Sequence, residues 1–382
     1  MPAEAFPEPD SHGLAVSREL VGRIAAAIDT AGGWLPFEQF MQMALYEPGL
    51  GYYSAGAGKI GLAGDFTTAP EQGDWLAEAI AALLAPRLAA LGSTSLLEFG
   101  AGSGSLAARL IAGLARRGQS EIDYAILEPS ADFRHSQQQR LAGVDASVRW
   151  LDGLPETPLR GFMLANEVAD ALPVMRFVKR AGGVLPLGLT RTGDRLAIAP
   201  GDPDPALSAA VERLEAALGQ ALPDGYRSEV CLLLEPWLAA VLATIEAGGL
   251  LLIDYGLPRR DYYRPERADG TLICHYRQRA HDDPLRWPGL QDISAWVDFT
   301  AVAAAGRAAG FELAGFTTQA QFLLESIARD PLLAARAPDP AAASQLKTLV
   351  LPGEMGERFK LIWLTRSFTD EGLPGRDFRD WL

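Results

Sequence analysis

Cysteine is scarce in this 382-residue chain. Its two cysteines, Cys231 and Cys274, are too few for a disulfide framework, and each lies in an apolar stretch where a buried, reduced thiol is expected. Basic residues are also in short supply: 34 Lys+Arg face 48 Asp+Glu, a formal net charge of −14. Such a surface repels phosphate, so nucleic acid is excluded as a general partner. No run approaches the ~18 consecutive apolar residues of a membrane span. The longest candidate, residues 76–91, is interrupted by Glu78, Pro86 and Arg87, and no membrane insertion is expected. Cys274, His275 and His281 lie close together, but structural zinc takes four ligands at recognisable spacings, so no metal is expected. Residues 1–10 are acidic and proline-rich, unlike a transit or signal peptide, which makes a cytoplasmic protein without a leader the expectation.

What remains is an ordinary globular composition, 48% hydrophobic and 21% charged, with a sizeable core. Residues 17–46 read as two short helices, followed by a Gly- and Tyr-rich loop over 47–64. Thr68-x-x-Glu71 has capping-box spacing ahead of an amphipathic helix that reaches Leu91. From Ser95 onward, short apolar runs end in polar or Gly-rich turns and alternate with helical stretches, the pattern of a parallel α/β sheet. The runs are residues 95–99, 124–127, 148–151, 162–165, 249–253, 311–316 and 359–365, seven strands for one sheet. The reading divides the chain into an N-terminal helical segment and loop (1–64), core (65–175), an insertion (176–228), core (229–256), a second insertion (257–298) and core (299–382). The first insertion reads as two or three strands plus a helix around Ala206–Leu218; the second shows little regular pattern. Both follow strand ends, where an open α/β sheet binds ligands, so both are expected to roof the pocket.

The first strand runs into Glu98-Phe99-Gly100-Ala101-Gly102-Ser103-Gly104, a turn at which a ligand approaches the main chain. Dinucleotide binding requires Gly-x-Gly-x-x-Gly, but Ser105 breaks that spacing, and Glu98 would repel a pyrophosphate. An acid there suits a ligand with a cationic amino-acid end, as in S-adenosylmethionine. Glu128, at the tip of the second strand, is placed for ribose hydroxyls. Leu151 and Asp152, at the tip of the third, offer an apolar face and a carboxylate to an adenine. Asn166, Glu167 and Asp170 follow the fourth strand, beside the first, where they would meet a methyl acceptor. The competing reading makes them the N-cap and acidic first turn of a following helix. Asp254 ends the fifth strand, and the carboxylates at strand tips are read as converging on one crevice.

These motifs, in this order, resemble the MidA-like (DUF185) class I S-adenosylmethionine-dependent methyltransferases. The resemblance rests on Tyr46-Glu47-Pro48-Gly49-x-Gly51-Tyr52-Tyr53, Gly64-Asp65-Phe66-Thr67-Thr68-Ala69-Pro70-Glu71, the Glu98 glycine turn, Ala165-Asn166-Glu167-x-x-Asp170-Ala171-Leu172-Pro173, Asp254-Tyr255-Gly256 and Asp292-Ile293-Ser294. It implies a Rossmann-like α/β fold with a seven-stranded, mostly parallel sheet covered by helices on both faces. The implied cofactor is S-adenosylmethionine, held by Glu98, Gly100, Gly102, Gly104, Glu128, Leu151, Asp152, Asn166 and Thr67. Glu167, Asp170, Asn166 and Asp65 form the expected acceptor site. The family's mitochondrial members are protein arginine methyltransferases needed for respiratory complex I assembly, which implies a protein substrate. Rival readings are a methyltransferase for small molecules or other residues, and an assembly chaperone that binds the cofactor without turnover; homodimerisation is left open. Where the family commonly carries His, this chain has Trp296, between Ala295 and Val297.

Overall fold

The computed structural model describes residues 6–54, 69–193, 195–336 and 339–382. Seven strands build the central sheet: β1 (Ser95–Phe99), β2 (Asp123–Leu127), β3 (Ser147–Leu151), β4 (Leu159–Asn166), β5 (Ile245–Leu257), β6 (Glu312–Thr318) and β7 (Phe359–Arg366). Their order is β6-β7-β5-β4-β1-β2-β3, with a two-residue strand, Val297–Asp298, added beside the end of β5. The pairs from β5 through β4, β1 and β2 to β3 are parallel, and β7 runs antiparallel between β5 and β6. Chain reversal between β3 and β4 sets β4 against β1, which opens the crevice at their carboxyl ends.

The strands are apolar on both sides because both faces are covered. In β1, Leu96 packs into one layer with the helices Trp75–Leu91 and Ser105–Ala115, while Leu97 and Phe99 pack into the other with Leu234–Ala243 and Phe299–Ala308. The helix Trp75–Leu91 is not amphipathic as expected: 12 of its 17 residues are buried. It starts at Trp75 rather than in the Thr68–Glu71 region, because Ala69–Glu71 forms a separate 3-10 turn and Glu71 accepts a hydrogen bond from Ser103. Thr68 lies outside the described residues. Among the described residues, no helix is long and apolar enough to cross a membrane.

A second, antiparallel sheet carries Met175–Arg180, Gly183–Thr192, Arg195–Pro200 and Arg227–Val230, with the helix Pro205–Leu218 on one face. Its fifth strand comes from the N-terminal segment: Trp34–Pro36 pairs with residues 188–190. The sequence pattern predicts only two short helices within residues 17–46; the structure has Ser11–Thr30 and Phe37–Tyr46, with this strand between them. The second insertion holds a three-stranded sheet of Ile273–Tyr276, Arg279–His281 and Asp292–Ser294, more regular than its sequence pattern implies. Leu20, Ile24 and Phe40 of the N-terminal helices, Leu189 of the first insertion, and Cys274 and Ile293 of the second bury one common core. Among the described residues only the N-terminal segment roofs the crevice, through Tyr46, Pro48, Gly49, Tyr53 and Ser54; contrary to the expectation, neither insertion lines it, because both pack behind that segment in the common core.

Candidate active site

A cavity of about 590 Å³ opens at the ends of β1, β2 and β4. Its floor is the turn after β1, where Gly100, Gly102 and Gly104 all have positive φ (+59°, +52° and +78°). A Cβ at Gly100 would stand 3.2 Å from Val168 Cγ2, so a side chain there would press into the opposite wall. Gly104 does not line the cavity. It precedes the helix Ser105–Ala115, and a Cβ there would meet Gln137 at 3.4 Å, so its role is close packing of two helices. Gln137, fully buried, donates to Gly102 O at 2.9 Å and to Glu128 Oε2 at 3.0 Å, and accepts from Trp150 Nε1 at 2.9 Å.

Glu98 and Glu128 line the cavity side by side. Burial pushes the Glu98 carboxyl up to about 7 against the pull of Tyr124, whose hydroxyl donates to it at 2.8 Å; the neighbouring Glu128 raises it further. Burial also raises Glu128, opposed by hydrogen bonds from Ser130 N at 3.0 Å and from Gln137.

After β4 the chain forms a loop leading into Met175–Arg180, with no helix, which removes the helix-cap reading of Asn166, Glu167 and Asp170. Asn166 and Glu167 line the cavity. Glu167 is held at φ +55°, its N–H donating to Ile253 O at 2.9 Å, and its carboxyl accepts from Asn166 Nδ2 at 3.0 Å. Asn166 Oδ1 is buried with no partner among the described residues. Burial, then the charges of Asp170 and Asp292, push Glu167 up to about 8. Asp170 is buried but does not line the cavity; burial and the charges of Asp254 and Asp292 raise its carboxyl. Asp254 is committed to the loop itself. It accepts from Ala169 N (2.9 Å), Asp170 N (3.2 Å) and Tyr255 N (2.8 Å), and burial with the Glu167 charge pushes it up to about 8.

The third strand corrects the sequence reading. Asp152 has a 91% exposed side chain paired with Arg134 at 2.8 Å, and neither it nor Leu151 lines the cavity. β3 is the edge strand, and Arg134 bonds Leu151 O (2.9 Å) and Glu128 O (3.2 Å) across its end. Pro129, Asp132 and Phe133, which follow β2, provide the wall instead. Asp65 and Thr67 lie outside the described residues.

The roof supplies groups to which the sequence reading gave no role. Tyr46 and Tyr53 line the cavity with rings stacked at 5.6 Å. The Tyr46 hydroxyl donates to Ala171 O at 2.9 Å, and the Tyr53 hydroxyl to Asp292 Oδ1 at 2.7 Å. Their loop needs Gly51, where a Cβ would sit 2.5 Å from Glu47 N. The Tyr46–Tyr53 motif was itself the available signal. Trp237, packed edge-on against Phe99 at 6.1 Å, completes the lining and carried no sequence signal. Trp296 lines a separate cavity of about 280 Å³, with the Arg267 guanidinium over its ring at 5.5 Å. Among the described residues, no group of three or more His, Cys, Asp or Glu is arranged to hold a metal.

Residues 73–317 match the family described as "Putative S-adenosyl-L-methionine-dependent methyltransferase". A COG1565 superfamily member from Burkholderia thailandensis, solved with S-adenosyl-homocysteine bound, is 37% identical, covers 97% of this chain and 99% of its own, and superposes with a TM-score of 0.87. A native crystal structure from the same organism is 38% identical over 99% and 100% of the two chains, TM-score 0.88. A Drosophila melanogaster protein named as a mitochondrial protein arginine methyltransferase NDUFAF7 homolog is 28% identical, over 94% of this chain and 88% of that one. A Caenorhabditis elegans protein of the same name is 25% identical, over 78% and 72%. With the fold, the glycine turn and its cavity in agreement, this chain belongs to that family of S-adenosylmethionine-dependent methyltransferases.

Proposed function

We propose that the methyl acceptor is the guanidinium of an arginine side chain in a protein. The observation that carries this reading is Glu167, a half-buried carboxyl lining the cavity with Asp170 and Asp292 as its charged neighbours. A planar cation is the ligand such a group suits, because a guanidinium presents a fork of N–H donors that a carboxylate accepts bidentately. The fly and nematode relatives named as protein arginine methyltransferases support the same acceptor.

S-adenosylmethionine supplies an electrophilic methyl carbon on a sulfonium. The cavity suits it: Gly100 leaves room for a ligand against the main chain, Asn166 Oδ1 is a buried acceptor awaiting a donor, and Glu98 and Glu128 add two carboxyls. Its ammonium and ribose hydroxyls are donors of the matching kind. In this reading Glu98 and Asn166 serve the amino-acid end and Glu128 the ribose, while Glu167 holds the acceptor in line and draws its positive charge away from the attacking nitrogen. Alignment of this kind contributes up to roughly 7–11 kcal/mol in the best intramolecular cases.

A second reading is favoured by one observation, the Glu167 carboxyl raised to about 8, which is also the property of a general base for a neutral acceptor. Incubation with labelled methyl donor and cell lysate separates the two. A labelled protein whose peptide carries methylarginine by mass spectrometry supports the first; label confined to small molecules, or to another residue type, replaces it.

A further inference from the structure

We propose that the first insertion carries a binding site for an oxyanion, a phosphate or carboxylate group, formed by Arg176, Arg180 and Arg227. The three guanidinium groups line a cavity of about 170 Å³ that shares no residue with the methyl-transfer cavity. Strand register brings them together. Residues 176, 178 and 180 face the same side of their strand, and Val178 stands opposite Arg227 on the neighbouring strand. The other face of this sheet is occupied: Phe177 packs with Leu207 and Val211 of the helix Pro205–Leu218, and Lys179 pairs with Glu215 at 2.7 Å.

Arg176 is the decisive group. Its side chain is only 10% exposed, it lines the cavity, and it makes no hydrogen bond to any described residue. Its Nε is buried without a partner, Asp269 approaches only to 3.7 Å on a 79% exposed side chain, and the Phe37 ring lies 5.5 Å from its centre. Glu229 stands opposite it in register but forms no ion pair with it. One oxygen of Glu229 is taken by Tyr262 at 2.8 Å and by the Thr271 N–H and hydroxyl at 2.7 and 2.8 Å. Arg180 and Arg227 have no side-chain hydrogen bond or ion pair among the described residues. A desolvated guanidinium is costly unless an anion and hydrogen bonds compensate it, and five N–H donors in a planar fork match an oxyanion's paired oxygens. In a chain of net charge −14, three arginines gathered around one exposed carboxylate run against the composition. The volume is below the ~300–1,000 Å³ of pockets that enclose a drug-sized ligand, so the site takes a single anionic head group.

The experiment is calorimetric titration of the full-length protein with inorganic phosphate and, separately, with succinate, repeated on the double variant Arg180→Ser/Arg227→Ser. Both residues are exposed, so melting in anion-free buffer reports whether the fold is kept; Arg180→Lys/Arg227→Lys replaces the serine variant if it is not. Saturable binding of one equivalent, weakened ~10-fold or more in the variant, is expected, since each arginine contributes charged hydrogen bonds. Binding of phosphate alone identifies a phosphate group, and of succinate alone a carboxylate. No saturable binding of either anion, or equal affinity in wild type and variant, overturns the site.

Discussion

Tyr53 donates a 2.7 Å hydrogen bond to Asp292, a residue 239 positions further along the chain. The bond ties the N-terminal roof loop, where Tyr53 lines the cavity, to the second insertion behind it, and it satisfies a carboxylate that is 4% exposed. Tyr53→Phe keeps the ring and its stacking on Tyr46 but leaves that carboxylate short of a donor. A stability loss of about 1–3 kcal/mol is expected, the cost of an unsatisfied buried group. Denaturant titration of the variant checks this, and a loss below experimental error would show that Ser294 and its surroundings already satisfy Asp292.

Glu128→Ala is expected to weaken S-adenosyl-homocysteine binding by ~10–200-fold, the equivalent of the 1.5–3 kcal/mol of a hydrogen bond to a charged group. Calorimetry reads this directly, and unchanged affinity would remove Glu128 from the ribose.

Gly100→Val should abolish that binding while leaving a folded protein by circular dichroism. The residue sits at φ +59° and its new side chain would press on Val168. Binding retained at wild-type strength would mean that the ligand does not approach this turn.

Glu167→Gln preserves shape and removes one charge. Cofactor affinity is expected to stay nearly normal while turnover falls sharply, because the carboxylate acts on the acceptor and on charge that shifts in the transition state. Initial rates and cofactor titration on one sample separate this from a structural role, in which turnover would be kept.

The pH dependence follows from the direction of the shift. Glu167 rises from an ordinary 4.5 to about 8, so between these values the folded chain holds a proton that the unfolded chain has released. Its contribution therefore makes stability fall as pH rises through that window, with Asp254 acting in the same sense. The slope should flatten in Glu167→Gln. A guanidinium entering beside Glu167 favours the ionised form, so binding of an arginine peptide should release protons near neutral pH. Calorimetry in two buffers of different ionisation enthalpy measures that release, and identical heats after correction for binding would contradict it.

The seven sheet strands were legible because each is a short apolar run with a turn after it, a local property of the sequence. Trp34–Pro36 was not, since three residues carry no periodicity and their partners lie near residue 189. Strand tips showed a similar split. The sequence marks a carboxylate at the end of each of several strands, but not which way it faces: Glu98, Glu128 and Glu167 line the cavity, Asp152 turns to solvent, and Asp254 is consumed by the backbone N–H groups of the loop it folds. Gln137, which orients Glu128, sits on a polar helix where nothing in the pattern separates it from its exposed neighbours.

The shared core of the roof also has a consequence in time. Leu20 and Ile24 leave the ribosome well before Cys274 and Ile293, the residues with which they pack. Until Cys274 and Ile293 have been made, these helices have no complete surface to bury their apolar faces against. Contacts so distant in sequence close slowly and late. The seating of Tyr46 and Tyr53 over the cavity is therefore a product of a late stage of folding, and a nascent or truncated chain would hold these two helices in search of a partner, the condition under which aggregation competes with folding.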